Sequence, residues 1–174
     1  EEPVGRITGP RDEGSRRIGH NRTGQTQGGD MRVCQRRALN LAQIPFRSVA
    51  IDLTTGAQNS DEHLARNPQG LVPVLDIDGL RLTQSLAILE YLDTTRQMNL
   101  LPKDPADRAK AQALAQAIAV DIHPVCNLKV AAYATQLTGG RDGVREDWMR
   151  RFIRPGLQAY EALLADFDQT PFCY

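Results

Sequence analysis

Two short stretches carry groups that could hold a ligand: Val72-Pro73 and Gln84-Ser85, which flank an apolar alternation interrupted by Asp78-Gly79. Pro73 has two readings. It either begins an edge strand, where its missing N–H is harmless, or follows a cis peptide that turns the N–H and C=O of Val72 outward, where an extended peptide could pair with them as an added strand. Ser85 also has two. It is a helix N-cap, or part of an anion cradle, because a helix start presents free N–H groups and the positive end of its dipole. Gln84 adds an amide for an amino or carboxylate group. A pairing edge and an anion cradle separated by one hairpin suit a small extended peptide with an acidic end. Farther along, His123 and Asn127 stand four residues apart and would share a helix face, either as a satisfied polar pair at Pro124 or as the lining of a site.

The elements that must position these residues follow from pattern. Ala38, Leu39, Leu41 and Ala42 suit a short helix, and Phe46 to Leu53 alternates as a strand. A loop covers Thr54 to Ser60, and Asp61 to Arg66 makes a helical turn that stops at Asn67-Pro68. Val74 to Asp78 alternates, Asp78-Gly79 signals a two-residue hairpin, and Leu80-Arg81-Leu82 returns. Leu86, Leu89 and Leu92 then give a helix with one apolar face that ends near Arg96. In the stretch Leu101 to Pro105, two prolines deny both helix and ladder. Beyond it the period is helical: Ala106 to about Tyr133, kinked rather than ended at Pro124, then roughly Glu146 to Leu164, with Trp148, Phe152, Tyr160 and Leu163 on one side and Pro155-Gly156 as a weak point. The order predicts a small α/β domain over residues 31–97, a linker over 98–105 and an all-α domain over 106–174. Residues 1–30 hold seven glycines, five acidic and five basic residues, and only Val4, Ile7 and Ile18 as aliphatic side chains. They are expected to be disordered or non-native.

Composition excludes several function classes. The 174 residues carry 21 Lys and Arg against 21 Asp and Glu, so no overall basic field exists to gather nucleic acid or an anionic membrane surface. Cys34, Cys126 and Cys173 are few, odd in number and far apart, which suits a reducing cytoplasm better than a disulfide framework or a zinc site. No apolar run approaches membrane-spanning length.

Asn67-Pro68, Val72-Pro73, the Asp78-Gly79 hairpin, Gln84-Ser85 and Ile88-Leu89-Glu90-Tyr91-Leu92, taken in that order, resemble the glutathione site of the glutathione transferase superfamily. "QSLAILEYL" and "LLPKDPADRAKAQALAQAIAVDIHPVCNLKV" resemble its zeta class, which includes maleylacetoacetate and maleylpyruvate isomerases. The resemblance covers roughly residues 36–174. It implies a thioredoxin-like α/β N-terminal domain, an all-α second domain, a homodimer, and glutathione as cofactor. Val72 would pair by backbone with the cysteinyl part of glutathione ahead of a cis Pro73, while Gln84 and Ser85 hold the γ-glutamyl end. Gln58, in "TTGAQNS", would reach the tripeptide, the alternative being a solvated loop glutamine. His123 and Asn127 would look into the substrate cleft; Lys129 stands where relatives often carry arginine and reads as a surface lysine, and Cys126 as a small apolar filler.

The reaction so implied is cis–trans isomerisation of a maleyl keto acid in the breakdown of aromatic compounds or tyrosine. A thiolate adds to the conjugated alkene, the bond rotates, and elimination returns the fumaryl isomer. Alternatives are a transferase acting on small halo acids at the same site and a non-catalytic glutathione-binding module. The class carries a serine-rich turn ahead of its first helix to keep the thiol ionised; here that stretch is "GGDMRVCQRRALNL", without a serine, Thr23 and Thr26 are too loosely placed, and Cys34 reads as a packing thiol. No catalytic residue is assigned. Residues 1–30 also lack an apolar run for the interior first strand of a thioredoxin-like sheet, and "TPFCY" falls short of the last helices of the all-α half, so a partial copy of such an enzyme, without its first strand, is expected.

Overall fold

The computed structural model describes residues 5–9 and 31–167. The chain divides into two units, residues 1–98 and 99–174. In the first, the order is β1 (Gly5–Gly9), α1 (Met31–Leu41), β2 (Phe46–Ala50), a 3-10 turn (Ala57–Asn59), the one-turn helix α2 (Asp61–Leu64), β3 (Val74–Ile77), β4 (Leu80–Thr83) and α3 (Ser85–Arg96). The sheet runs β2-β1-β3-β4. β1 lies parallel to β2, with Ile7 opposite Ser48, and antiparallel to β3, with Ile7 opposite Leu75.

The first strand is therefore present, contrary to the expectation of an empty interior slot. Ladder pairing uses the N–H and C=O that every residue of Gly-Arg-Ile-Thr-Gly carries, so five residues poor in apolar side chains still bridge β2 and β3. The rest of the segment expected to be disordered, and with it Thr23 and Thr26, lies outside the described residues, as does Cys173.

Alternation along β3 decides where the core sits. Leu75 and Ile77 point to one face, where Ala38 and Leu39 of α1 and Ile88 and Leu92 of α3 meet them in one buried cluster. On the opposite face Asp76 takes ion pairs from Arg66 and, at 2.9 Å, from Arg81 across the hairpin. The hairpin turn is as predicted, with φ 51° at Asp78 and 74° at Gly79, the left-handed pair that a two-residue primed turn demands.

Asp78 also ties this turn to α3. It accepts a hydrogen bond from Tyr91 Oη at 2.6 Å and an ion pair from Arg96 at 2.7 Å. These two partners, Tyr91 first, hold the Asp78 carboxyl below its ordinary range, and the same bond to Asp78 raises the Tyr91 phenol. A carboxylate depressed on folding stabilises the fold fully above its unfolded pKa near 3.8 and loses that contribution as pH falls through the folded value. Asp78→Asn keeps the left-handed turn, which asparagine tolerates, and removes only the charge. Its melting temperature should lie below that of the parent at pH 7, by less than about 1 kcal/mol of stability for so exposed a pair, and converge with it as the pH falls through the depressed folded value.

The second unit is helical: α4 (Pro105–Gln116), a π-helical turn (Ala117–Ile122), α5 (Leu128–Leu137) and α6 (Val144–Leu164). Asp104 caps α4, its Oδ1 accepting from the N–H of Ala106 at 2.9 Å and of Asp107 at 3.0 Å, and Pro105 is the first helical residue. The second proline of the expected linker thus starts a helix, because no N–H is needed there. Pro124 ends a helix rather than kinking one. The chain widens into the π turn, runs through 123–127 without helix, and restarts at Asn127, whose side chain caps α5 by accepting from Lys129 N–H at 3.2 Å. Trp148 Nε1 donates to Val125 O at 2.8 Å and fixes that break against α6. α6 runs unbroken through Pro155-Gly156. Gly156 is needed there for proximity, since a Cβ on it would come within 2.7 Å of the Ile122 side chain.

Among the described residues no helix is long and apolar enough to cross a membrane.

Candidate functional site

The loop from α2 to β3 and the start of α3 build the site in the first unit. The Val72–Pro73 peptide is cis, and Pro73 is buried while Val72 is half-buried. Val72 lies two residues ahead of the strand register, which begins with Thr8 opposite Val74. Among the described residues, neither its N–H nor its C=O has a partner in the protein. Of the two readings of Pro73, the structure takes the one with a cis bond.

Three contacts gather the other candidates around this edge. Gly70, at φ 62°, lies so close to the turn at 57–59 that a Cβ on it would stand 3.0 Å from Asn59 Oδ1 and 3.4 Å from the carbonyl oxygen of Gln58. Gln69 Oε1 accepts from Gln84 Nε2 at 3.0 Å, joining the same loop to the start of α3. Leu71 O, immediately before Val72, takes bonds from His63 Nε2 at 2.9 Å and Asn67 Nδ2 at 2.8 Å. The loop that carries Val72 and Pro73 thus meets the turn of Gln58 at Gly70 and bonds Gln84 through Gln69.

Gln58 is half-buried, and its Oε1 is buried without a partner, so it is not a solvated loop glutamine. Ser85 is not the cap of α3 but its first helical residue; Gln84 holds the cap position, at φ 68° and ψ 117°, with no side-chain capping bond. A non-glycine residue in that region carries strain of about 1–3 kcal/mol. The first N–H groups of α3 are left without a capping side chain.

His123 and Asn127 lie in the second unit. They do not share a helix face, because the helix between them breaks: His123 follows the π turn and is exposed, and Asn127 caps α5 with its Oδ1, leaving its amide N–H groups to offer. Lys129 is exposed. Cys126 is half-buried and burial pushes its thiol up, as suits an apolar filler. The segment ahead of α1 that would carry the class serine, and the side chain of Cys34, lie outside the described residues. Among those described, no group of three or more His, Cys, Asp or Glu is placed to hold a metal ion.

His63 and the role of Asn67 escape a reading by pattern. His63 looks like one more polar residue of a short turn, and Asn67 like a helix stop before proline. An asparagine ahead of proline in a turn, poised to bond its own backbone, was the available signal.

Residues 28–94 match the N-terminal domain family of the glutathione S-transferases. Over 140 residues the chain is 54% identical to a maleylacetoacetate isomerase of Rhizobium meliloti strain 1021, covering 80% of this chain and 66% of that one. The solved holo structure of a maleyl pyruvate isomerase, a bacterial glutathione S-transferase of the zeta class, superposes with a TM-score of 0.81 at 30% identity, over 97% of this chain and 73% of that one. The chain belongs to the glutathione transferase superfamily, in its zeta class. A second zeta-class neighbour, the maleylacetoacetate isomerase of Methylobacterium extorquens AM1 with bound malonate and glutathione, gives a TM-score of 0.78 at 35% identity, over 97% and 72%. This glutathione transferase chain spans 66%, 61% and 60% of the length of three relatives that it matches in sequence. The thioredoxin-like first half followed by helices, expected from the order of elements and the family resemblance, is the fold observed.

Proposed function

We propose that the chain binds glutathione and belongs to a glutathione-dependent cis–trans isomerase that converts a maleyl keto acid, maleylacetoacetate or maleylpyruvate, to its fumaryl isomer. The observation that carries this reading is the peptide edge at Val72, without a partner among the described residues and tied through Gln69 to the uncapped start of α3. An extended tripeptide with a carboxylate end matches what those groups lack. The Val72 N–H and C=O would pair with the cysteinyl residue, and Ser85 with the first N–H groups of α3 would take the γ-glutamyl carboxylate. The unpartnered Gln58 Oε1 adds an acceptor beside the same loop. Strain kept at Gln84 supports a ligand clamp, where such outliers cluster.

Bound glutathione supplies a thiol whose ionised form adds reversibly to a conjugated alkene. The chain's own residues orient that thiol from both ends of the tripeptide and present polar groups to the substrate. Asn127 can offer only its amide N–H groups, its oxygen being engaged with Lys129 N–H, and these suit a substrate carboxylate or a developing enolate charge. The exposed His123 would serve the same acidic ligand. Likeness to the isomerases named above supports the accompanying reading of a cytoplasmic, homodimeric enzyme of aromatic-compound or tyrosine breakdown.

Calorimetric titration with glutathione tests the binding half of this reading. Ser85→Ala should weaken binding about ten- to a hundredfold, the range for a hydrogen bond to a charged group; unchanged affinity removes Ser85 from the site. Turnover tests the other half. Maleylacetoacetate should isomerise while free glutathione stays constant, whereas its stoichiometric loss would identify a conjugating transferase instead.

A further inference from the structure

We infer that His63 and Asn67 are positioning residues that set the direction of the Val72 N–H; the inference rests on the glutathione reading above. Leu71 C=O and Val72 N–H belong to one planar peptide unit, and this unit is trans, the cis bond being the next one. In a trans amide the two groups point in opposite directions, so whatever fixes the carbonyl aims the N–H. Two donors do so: His63 Nε2 at 2.9 Å and Asn67 Nδ2 at 2.8 Å, on side chains whose residues are only 2% and 3% exposed.

A single hydrogen bond leaves the peptide plane free to turn about the bond axis. Two donors reaching one carbonyl from different residues use both of its lone pairs and remove that freedom. The donors are themselves tethered. His63 N–H donates to Ser60 Oγ at 3.3 Å, and Asn67 Oδ1 accepts from Gln69 N–H at 3.1 Å. Because a carbonyl only accepts, Nε2 must carry the ring hydrogen, and Nδ1 is left buried with no partner among the described residues. A buried polar atom without a partner is a standing cost. Accepting it at His63 Nδ1 makes sense if the other ring nitrogen is needed where it is. With Leu71 O held toward the His63–Asn67 pair, the Val72 N–H faces away from it, free to meet a ligand strand.

The test compares the full chain with His63→Phe, which keeps a ring and loses the donor, and with His63→Gln, which restores an N–H at similar reach. Glutathione affinity by calorimetry should fall about tenfold in the phenylalanine variant and return most of the way in the glutamine variant. Amide 15N relaxation on the ligand-free chain supplies a readout that general destabilisation does not mimic: the order parameter of the Val72 amide should fall from the rigid range, about 0.85, to below about 0.6 in His63→Phe, while those of Leu75 and Ile77 keep their parent values. Equal affinity in His63→Phe, or a fall in order parameter shared by Val72, Leu75 and Ile77, overturns the inference. Should His63→Phe fail to fold, Asn67→Asp, which removes the second donor and keeps the oxygen that accepts from Gln69 N–H, is judged by the same two measurements. A parent chain that does not bind glutathione overturns the glutathione reading; the relaxation pattern then decides whether His63 and Asn67 fix the Val72 peptide.

Discussion

Leu92→Ala is expected to destabilise the first unit by about 2–5 kcal/mol, the cost of removing a buried leucine from a close-packed site. Leu92 is fully buried on α3, in one cluster with Ala38 and Leu39 of α1, Leu75 and Ile77 of β3, and Ile88. Loss of its side chain therefore leaves a void between two helices and the sheet at once. Collapse of the void is limited, since α3 is also pinned at Asp78 through Tyr91 and Arg96. Urea unfolding followed by far-ultraviolet circular dichroism measures the effect, and a loss below about 1 kcal/mol would mean that the cluster is not the core of this unit.

Gly70→Ala should damage binding more than its size suggests. At φ 62° any L-residue carries a penalty of about 1–2 kcal/mol. The new methyl would also stand 3.0 Å from Asn59 Oδ1 and 3.4 Å from the Gln58 carbonyl oxygen. The Asn59 side chain must give by a few tenths of an ångström, whereas the Gln58 oxygen stays at the edge of ordinary contact. Relief of the Asn59 contact, together with the strain of a left-handed alanine, loosens the loop that carries Val72 against the turn at 57–59. Glutathione affinity should fall at least tenfold, with a melting temperature a few degrees below that of the parent. A variant that melts lower yet binds glutathione as the parent does would show that the two segments need not touch.

What the sequence disclosed and what it hid divide along physical lines. The Asp78-Gly79 turn and the period of Leu86, Leu89 and Leu92 are local signals, and both elements formed where expected. The cis bond at Val72–Pro73 followed from motif order, which encodes backbone geometry more tightly than composition does. β1 was missed because its place is set by backbone pairing with β2 and β3, which leaves no apolar signature in Gly5–Gly9. The cap of α3 was misplaced by one residue, since propensity favours serine over a glutamine at φ 68°. At Pro124, continued apolar spacing hid a break that depends on Asn127 capping the next helix and on Trp148 reaching Val125 O. His63 was invisible as part of the site because its partner, Leu71 O, is a backbone atom.

The sheet joins partners at very unequal distances along the chain. β3 and β4 meet across two residues, Asp78 and Gly79, whereas Arg6 of β1 pairs with Asp76, 70 positions away. Closing the short loop takes microseconds and the long one carries a larger entropic toll. Refolding of this unit should therefore begin from the hairpin and the helix behind it, with the central strand threading in last; the binding edge is born early, and its sheet is completed late.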